Sequence, residues 1–361
     1  MVRHLYVHIP FCPKVCPYCS FYKEASDRNK TKAFLDAVLA TADIAAEGLR
    51  PQTVFFGGGT PTALSTTQLQ TLIGGLRERI DFSDVQEFTV EMNPATVSLE
   101  KARALLDLGV NRVSMGVQSW DPGLLLTLGR VHSAAQARRS FEILREAGFE
   151  NINLDLIFGI PGQSEKMWLD SLRTTIDLAP EHISAYCLTY EEDTEYFLKL
   201  QRGEMVPDES VDADFFEITM SELEGAGYLQ YEISNYAKPG RECRHNLAYW
   251  IGAEYEGLGP SAFSTRGGVR RRAIADTSRF IELVSGGKGW HDFEETVDEA
   301  TRASESMAFA LRTSSGISSH DVPLEKSARL VEHGLMNQQG NRLVLTRQGK
   351  LVADEIAAEL M

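Results

Sequence analysis

Six short apolar runs divide the first half of the chain, and each ends in a polar or glycine-rich turn. They lie at 3–8, 53–56, 87–92, 112–117, 151–158 and 182–188. Between them, apolar residues return at helical spacing over 29–48, 66–80, 97–108, 119–147 and 164–178. In the first of these stretches Phe34, Leu35, Val38, Leu39, Ile44 and Ala45 mark one face. A strand plus its return helix needs roughly 30 residues, as here. This alternation predicts an α/β fold with a parallel sheet covered by helices. Six units rather than eight predict an incomplete (β/α)6 barrel, open on one side. In such folds ligands gather at the carboxyl ends of the strands.

The polar candidates obey that rule. After the first run come Cys12, Cys16 and Cys19, spaced C-x3-C-x2-C. After the second come Gly57-Gly58-Gly59-Thr60-Pro61. Glu91 closes the third, Gln118 follows the fourth, and Asp155 interrupts the fifth. Three thiolates on so short a loop can converge on one centre. A cubane iron–sulfur cluster takes one thiolate per iron, so three leave one iron open. Structural zinc wants four ligands; no fourth cysteine follows, and His8 would have to complete the set. A cluster of thiols with no metal is the remaining reading. Glycines also close ordinary turns, and missing side chains also let backbone groups approach a ligand. Glu91 and Asp155 in apolar strands require partners, either an internal ion pair or a ligand.

Past Thr189 the pattern changes. Ser210–Gly225 reads as an amphipathic helix with Phe215, Phe216, Ile218, Met220 and Leu223 on its buried side. Residues 231–265 are rich in aromatics and glycine with little periodicity. Residues 269–274 read as a strand. From Thr296 the chain reads as a helix, a short helix near 325–333, a strand at 342–345 and a last helix from Gln348. That order predicts an α+β, winged-helix-like domain, and three parts: 1–209, 210–295 and 296–361. Arg342, Arg347 and Lys350 in the last part are too few for a DNA surface on an acidic chain and are assigned to packing.

A net charge of −15 over 361 residues argues against general nucleic-acid or anionic-membrane binding. Five cysteines are no disulfide framework, and clustered thiols suit a reducing compartment. The first residues lack a signal-peptide apolar core, and no run has the length of a membrane span. A soluble, cytoplasmic protein is expected. Cys187, on the sixth run, is assigned to the core.

Together with Tyr6, His8, Pro10 and Phe11, the three cysteines resemble the radical S-adenosylmethionine superfamily. The resemblance implies a [4Fe–4S] cluster on Cys12, Cys16 and Cys19, with S-adenosylmethionine on the open iron. It assigns Tyr6, Tyr18, Gly58, Gly59, Thr60 and Glu91 to that cofactor. Gln118, Arg130, Asp155 and Thr189 match positions that contact a second S-adenosylmethionine in related enzymes. Four stretches narrow the likeness: Tyr6 through Cys19, Phe55 through Thr62, Gly116-Val117-Gln118-Ser119, and Asn153 through Gly159. Together they resemble the oxygen-independent coproporphyrinogen III oxidase-like group over nearly the whole chain.

That group has two kinds. The dehydrogenases carry a fourth cysteine two places after the third, and a longer N-terminal arm; here that place is Phe21. The haem chaperones, HemW, carry H-N-x-x-Y-W, and this chain has His245-Asn246-Leu247-Ala248-Tyr249-Trp250. The resemblance implies haem as cargo, with His245 on the iron. Imidazole is a common haem ligand, Asn246 can orient a ring, and Tyr249 and Trp250 offer flat faces with polar edges. A lone histidine of this kind is otherwise a hydrogen-bonded loop residue. Cys243 reads as a buried thiol. Arg241, Arg244 and Arg270-Arg271-Arg272 are candidate partners for propionates, although arginine runs more often form a solvated face. The implied partners are haem, a haem donor, haem-accepting respiratory or other haem proteins, and transient contacts with membrane proteins, but not nucleic acid. Two rivals stand beside this reading: radical decarboxylation of coproporphyrinogen III, and a regulatory module using the winged-helix-like end.

Overall fold

All six apolar runs are strands, and they lie side by side in parallel. They are β1 (Val2–Ile9), β2 (Leu49–Gly58), β3 (Glu87–Met92), β4 (Arg112–Gln118), β5 (Ile152–Phe158) and β6 (His182–Cys187). Each pairs with the next in chain order. The computed structural model describes residues 1–361, the side chain of Arg28 excepted. A parallel sheet is covered on both faces, which is why β4 is buried from Arg112 to Val117 and reads as a continuous apolar run.

The return helices start where short polar side chains can satisfy the free N–H groups of the first turn. Ser65, Ser98, Ser133 and Ser164 cap the helices Thr66–Arg79, Leu99–Asp107, Ala134–Ala147 and Glu165–Asp177. At Ser65 and Ser133 a glutamine three residues on returns the bond, making capping boxes. The helical stretch expected over 119–147 is two helices, Pro122–Thr127 and Ala134–Ala147. A further helix, Glu195–Gln201, follows β6 in a stretch to which the sequence alone assigns no element.

The sheet has nine strands, three more than the six units supply. Glu256–Leu258 pairs parallel to β1, Asn235–Ala237 pairs antiparallel to β6, and Leu229–Gln230 lies outside that. Residues 210–295 therefore return to both edges of the barrel sheet. The two edge strands do not pair with each other, so the barrel is incomplete. Strands of two or three residues show no alternation, which is why the sequence did not disclose them.

Two small antiparallel sheets follow. Val269–Ala273 lies between Phe263–Arg266 and His291–Thr296. There Arg270, Arg271 and Arg272 pair with Glu295, Glu294 and Asp292; Arg271 and Arg272 are thereby supplied with carboxylates inside the hairpin. The last sheet joins Ile317–Ser318, Met336–Gln339 and Arg342–Leu345. Around it the helices Glu299–Leu311, Leu324–Glu332, Arg347–Leu351 and Ala353–Leu360 bury Leu311, Leu330, Met336, Leu343 and Ile356 in a separate apolar cluster. This is the winged-helix-like arrangement. Its basic side chains are used inside the fold: Arg347 binds Glu224, Lys350 donates to Gln230, and Arg342 donates to the Ser315 carbonyl.

Candidate functional site

The cysteine loop is laced to the glycine turn through the backbone. Gly59 N–H donates to Ile9 O and Thr60 N–H to Phe11 O, both at 2.8 Å. This lacing demands glycine. A Cβ on Gly59 would stand 2.6 Å from the Pro10 carbonyl oxygen, and one on Gly58, at φ +103°, would stand 2.5 Å from the His8 ring. Cys12 Sγ reaches Thr60 Oγ1 at 3.5 Å. All three cysteines are half-buried and unpaired. Burial raises the Cys12 and Cys19 thiols above their ordinary value, and mutual repulsion among the would-be thiolates adds to it.

His8, the alternative fourth ligand, is committed elsewhere. Its Nδ1 lies 3.1 Å from the Tyr6 hydroxyl and its Nε2 takes the Tyr22 carbonyl at 2.8 Å. Among the described residues no three His, Cys, Asp or Glu side chains converge on a single-ion position. The loop is braced from outside as well. Tyr196 N–H, at the start of the helix Glu195–Gln201, donates to the Pro17 carbonyl, and Tyr18 packs on the Tyr196 ring at 6.3 Å.

Gln118, Arg130 and Asp155 come together around Gly116. Asp155 is the register partner of Gly116 across β4 and β5. Arg130 donates to the Gly116 carbonyl at 2.8 Å and to Cys16 Sγ at 3.6 Å. A Cβ on Gly116 would stand 2.7 Å from Gln118 Nε2. Gln118 itself holds φ +69°, outside the usual range for a residue with a side chain, a conformation that surrounding structure must over-determine. Thr189 is exposed beyond the end of β6 and makes no side-chain bond to this group. Cys187, assigned to the core, is exposed at the same rim, because β6 loses its cover in its last two residues.

Glu91 faces Asp155 inside the cup. Burial, with Asp155 adding repulsion, pushes its carboxyl up to about 8. Among the described residues no ion pair relieves it as the structural reading of Glu91 required; a Gly58 N–H bond and the Arg112 charge oppose the rise only in part. Two carboxylates facing a shared space beside half-exposed thiols fit a cationic ligand bound next to a cluster. Asp155 is held from below by residues to which the sequence alone assigns no role of their own. Ser114 Oγ and Asn153 Nδ2 donate to it at 3.1 and 2.7 Å. Asn153 Oδ1 meets His182 Nδ1 at 2.6 Å, and His182 Nε2 meets the Tyr231 hydroxyl at 2.8 Å.

The H-N-x-x-Y-W segment is not a loop. Arg244–Trp250 is a helix standing in the floor of the barrel, at the amino ends of the strands. Glu87, the first residue of β3, accepts the N–H groups of Arg244 and His245 at 2.9 and 3.0 Å and the Cys243 thiol at 3.4 Å. His245 is 2% exposed. Its Nδ1 lies 2.7 Å from Thr53 Oγ1, its Nε2 lies 3.0 Å from the Tyr249 hydroxyl, and its ring stacks on Phe55 at 5.2 Å. Both ring nitrogens are therefore occupied inside the protein. Burial drives its pKa down to about 3, so the ring is neutral in the ordinary range. Asn246 donates to the Tyr231 hydroxyl at 3.4 Å. Tyr249 and Trp250 line a cavity of about 530 Å³. Arg241 and Arg244 do not reach it; they line a separate polar recess of about 330 Å³ beside the starts of β3 and β4.

Residues 6–175 match the model of the Radical SAM superfamily. Over 373 aligned positions the chain is 38% identical to the heme chaperone HemW of Bacillus subtilis (strain 168), across 98% of each protein. The chain belongs to the HemW family. The heme chaperone HemW of Escherichia coli (strain K12) is 40% identical over 262 residues, 72% of this chain and 68% of that one. Among solved structures, coproporphyrinogen III oxidase (HemN) from Escherichia coli, a radical SAM enzyme, superposes with a TM-score of 0.86. That match covers 99% of this chain and 90% of that one at 23% identity, a likeness of fold. Membership of the radical SAM superfamily implies S-adenosylmethionine and a [4Fe–4S] cluster, and the relatives' name, heme chaperone, implies haem. Among the described residues no helix is long and apolar enough to cross a membrane.

Proposed function

We propose that the chain is a haem chaperone that carries an S-adenosylmethionine-ligated [4Fe–4S] cluster and passes haem to acceptor proteins. The observation that carries this reading is the H-N-x-x-Y-W helix set beside an aromatic cavity, in a chain like the HemW proteins from end to end.

Cys12, Cys16 and Cys19 would hold the cluster, which when bound supplies one-electron chemistry and an open iron. Tyr6, Tyr18, Thr60 and the Gly58–Gly59 backbone would hold S-adenosylmethionine beside the cluster, with Glu91 answering its positive charge. Arg130, on Cys16 Sγ, steadies a thiolate and closes the loop toward Gln118 and Asp155; those three, with Thr189, would form the second S-adenosylmethionine position. At the other end His245 would bind the haem iron through Nε2, with Thr53 fixing Nδ1. The five unpaired cysteines suit a reducing compartment, in keeping with a cytoplasmic site of action. Respiratory haem proteins are the proposed acceptors, met through transient contact at the membrane, with a haem donor upstream. Residues 1–209 would serve the cluster, 210–295 the haem and 296–361 the outer wall of the haem site.

The test uses anaerobically reconstituted protein. Haem titration should raise a Soret band, and mixing with a haem-free acceptor should move that band to the acceptor. The same sample, given S-adenosylmethionine, a low-potential reductant and coproporphyrinogen III, should leave the substrate unchanged. Protoporphyrinogen IX as product would replace the chaperone reading with the dehydrogenase one.

A further inference from the structure

The cavity beside the motif helix has the features of a seat for a planar, dicarboxylic macrocycle, and His245 is not on its wall. It lies between the helix Arg244–Trp250, the hairpin of Phe263–Arg266 and Val269–Ala273, and the helix Glu299–Leu311. Its volume of about 530 Å³ falls within the range of roughly 300–1,000 Å³ that small-molecule sites occupy. Tyr249, Trp250, Tyr255 and Phe309 give it flat walls. Trp250 lines this cavity, and its indole N–H is buried with no acceptor among the described residues.

The charges at this cavity are unequal. Arg270 is spoken for by Glu295 at 2.8 Å and Glu305 at 2.6 Å. Arg302 also lines the cavity, but among the described residues no carboxylate stands within ion-pair distance of it, and it is exposed. A flat apolar ring enters such a site with its charged edge left at the solvent boundary, where a guanidinium can take a carboxylate in two-point fashion. Tyr249 belongs to both sides: it lines the cavity, and its hydroxyl occupies His245 Nε2 at 3.0 Å.

We infer that this cavity is the porphyrin seat, that Arg302 binds one propionate, and that the Tyr249 hydroxyl is the group displaced from His245 Nε2 when iron binds. The inference rests on the haem-chaperone reading and adds where the macrocycle lies and what holds it apart from iron.

The experiment uses the full chain with its cluster assembled, titrated with ferric haem, with iron-free protoporphyrin IX and with protoporphyrin IX dimethyl ester. Protoporphyrin IX should bind wild type and His245→Ala within about threefold of each other, because ring and propionate contacts need no iron. Arg302→Glu should weaken haem and protoporphyrin IX by about tenfold or more, the scale of one lost and reversed charge-assisted contact, with iron and sulfide content unchanged. The diester should bind wild type and Arg302→Glu alike. Tyr249→Phe should keep the histidine-type haem spectrum and bind haem faster. Equal haem affinity in wild type and Arg302→Glu, or haem binding without any protoporphyrin IX binding, would overturn the seat while leaving the chaperone reading intact. Loss of the histidine-type spectrum in Tyr249→Phe would overturn the displacement step. Wild-type protein that binds neither porphyrin would remove both readings.

Discussion

The two ends of the barrel prepare their residues in opposite ways. At the carboxyl ends of the strands, Cys12, Cys16 and Cys19 are half-exposed and unpaired, and backbone bonds to the glycine turn hold their loop in place. At the amino ends, His245 is buried, with both nitrogens and one ring face already engaged. The first site is ready for a ligand as it stands. The second must first give something up. A thiol can wait in water at modest cost, whereas a buried imidazole without partners costs about 1–3 kcal/mol. The resting protein therefore satisfies the histidine internally.

The sharpest way to break this contrast is at the cysteines. Cys12→Ala should abolish cluster assembly, with iron and sulfide falling from about four each per chain toward zero, while haem titration stays within about twofold of wild type. A parallel loss of haem binding would show that the two ends are one site. Next comes His245→Ala, which removes a stacked, doubly hydrogen-bonded side chain. It should destabilise the chain by about 2–3 kcal/mol in chemical denaturation and lower the Soret absorbance strongly, with full iron–sulfide content. Stability equal to wild type would mean that those internal contacts are worthless.

Glu87→Gln should act more mildly. It replaces a carboxylate that takes two N–H groups of the motif helix, at a cost of about 1–2 kcal/mol, and should weaken haem binding without touching the cluster. The remaining test concerns the cup itself and reads pH rather than ligand binding. Glu91 is held up at about 8 against an ordinary 4.5. Between those values the folded chain keeps a proton that the unfolded chain releases, so the contribution of Glu91 to stability falls as pH rises through that window. Without added cofactor, Glu91→Gln should gain on wild type in thermal melts between pH 5 and pH 8, as protonation no longer matters. A constant difference across that range would place the carboxylate in water.

The difference between the two ends also explains what the sequence disclosed. Apolar runs and their turn residues are local, so the parallel strands, most of their helices and the polar residues at the strand ends could be placed from spacing, whereas Tyr18, Arg130 and Thr189 came only with the family resemblance. The cysteine loop carries its meaning within eight residues. The motif helix does not. His245 takes its partners from Thr53 and Glu87, 192 and 158 residues away, and a seven-residue helix has no periodicity to read. His182 and Tyr231, which back Asn153 behind Asp155, were silent because their partners lie 29 and 49 residues away. The arginine run was legible in part, since the acids of His291–Thr296 face it in register, but pairing across a hairpin cannot be read from one strand.

The floor of the barrel joins segments far apart in the polypeptide. During synthesis, β1 to β3 leave the ribosome long before Arg244–Trp250, and closing so large a loop delays any contact between them. Until then Phe55 and Thr53 face an unplugged opening, and Glu87 has no helix to cap. The barrel floor is thus finished only when the H-N-x-x-Y-W helix arrives, so a chain cut short before it should expose the barrel interior from below to chaperones and proteases even with its cysteine loop complete.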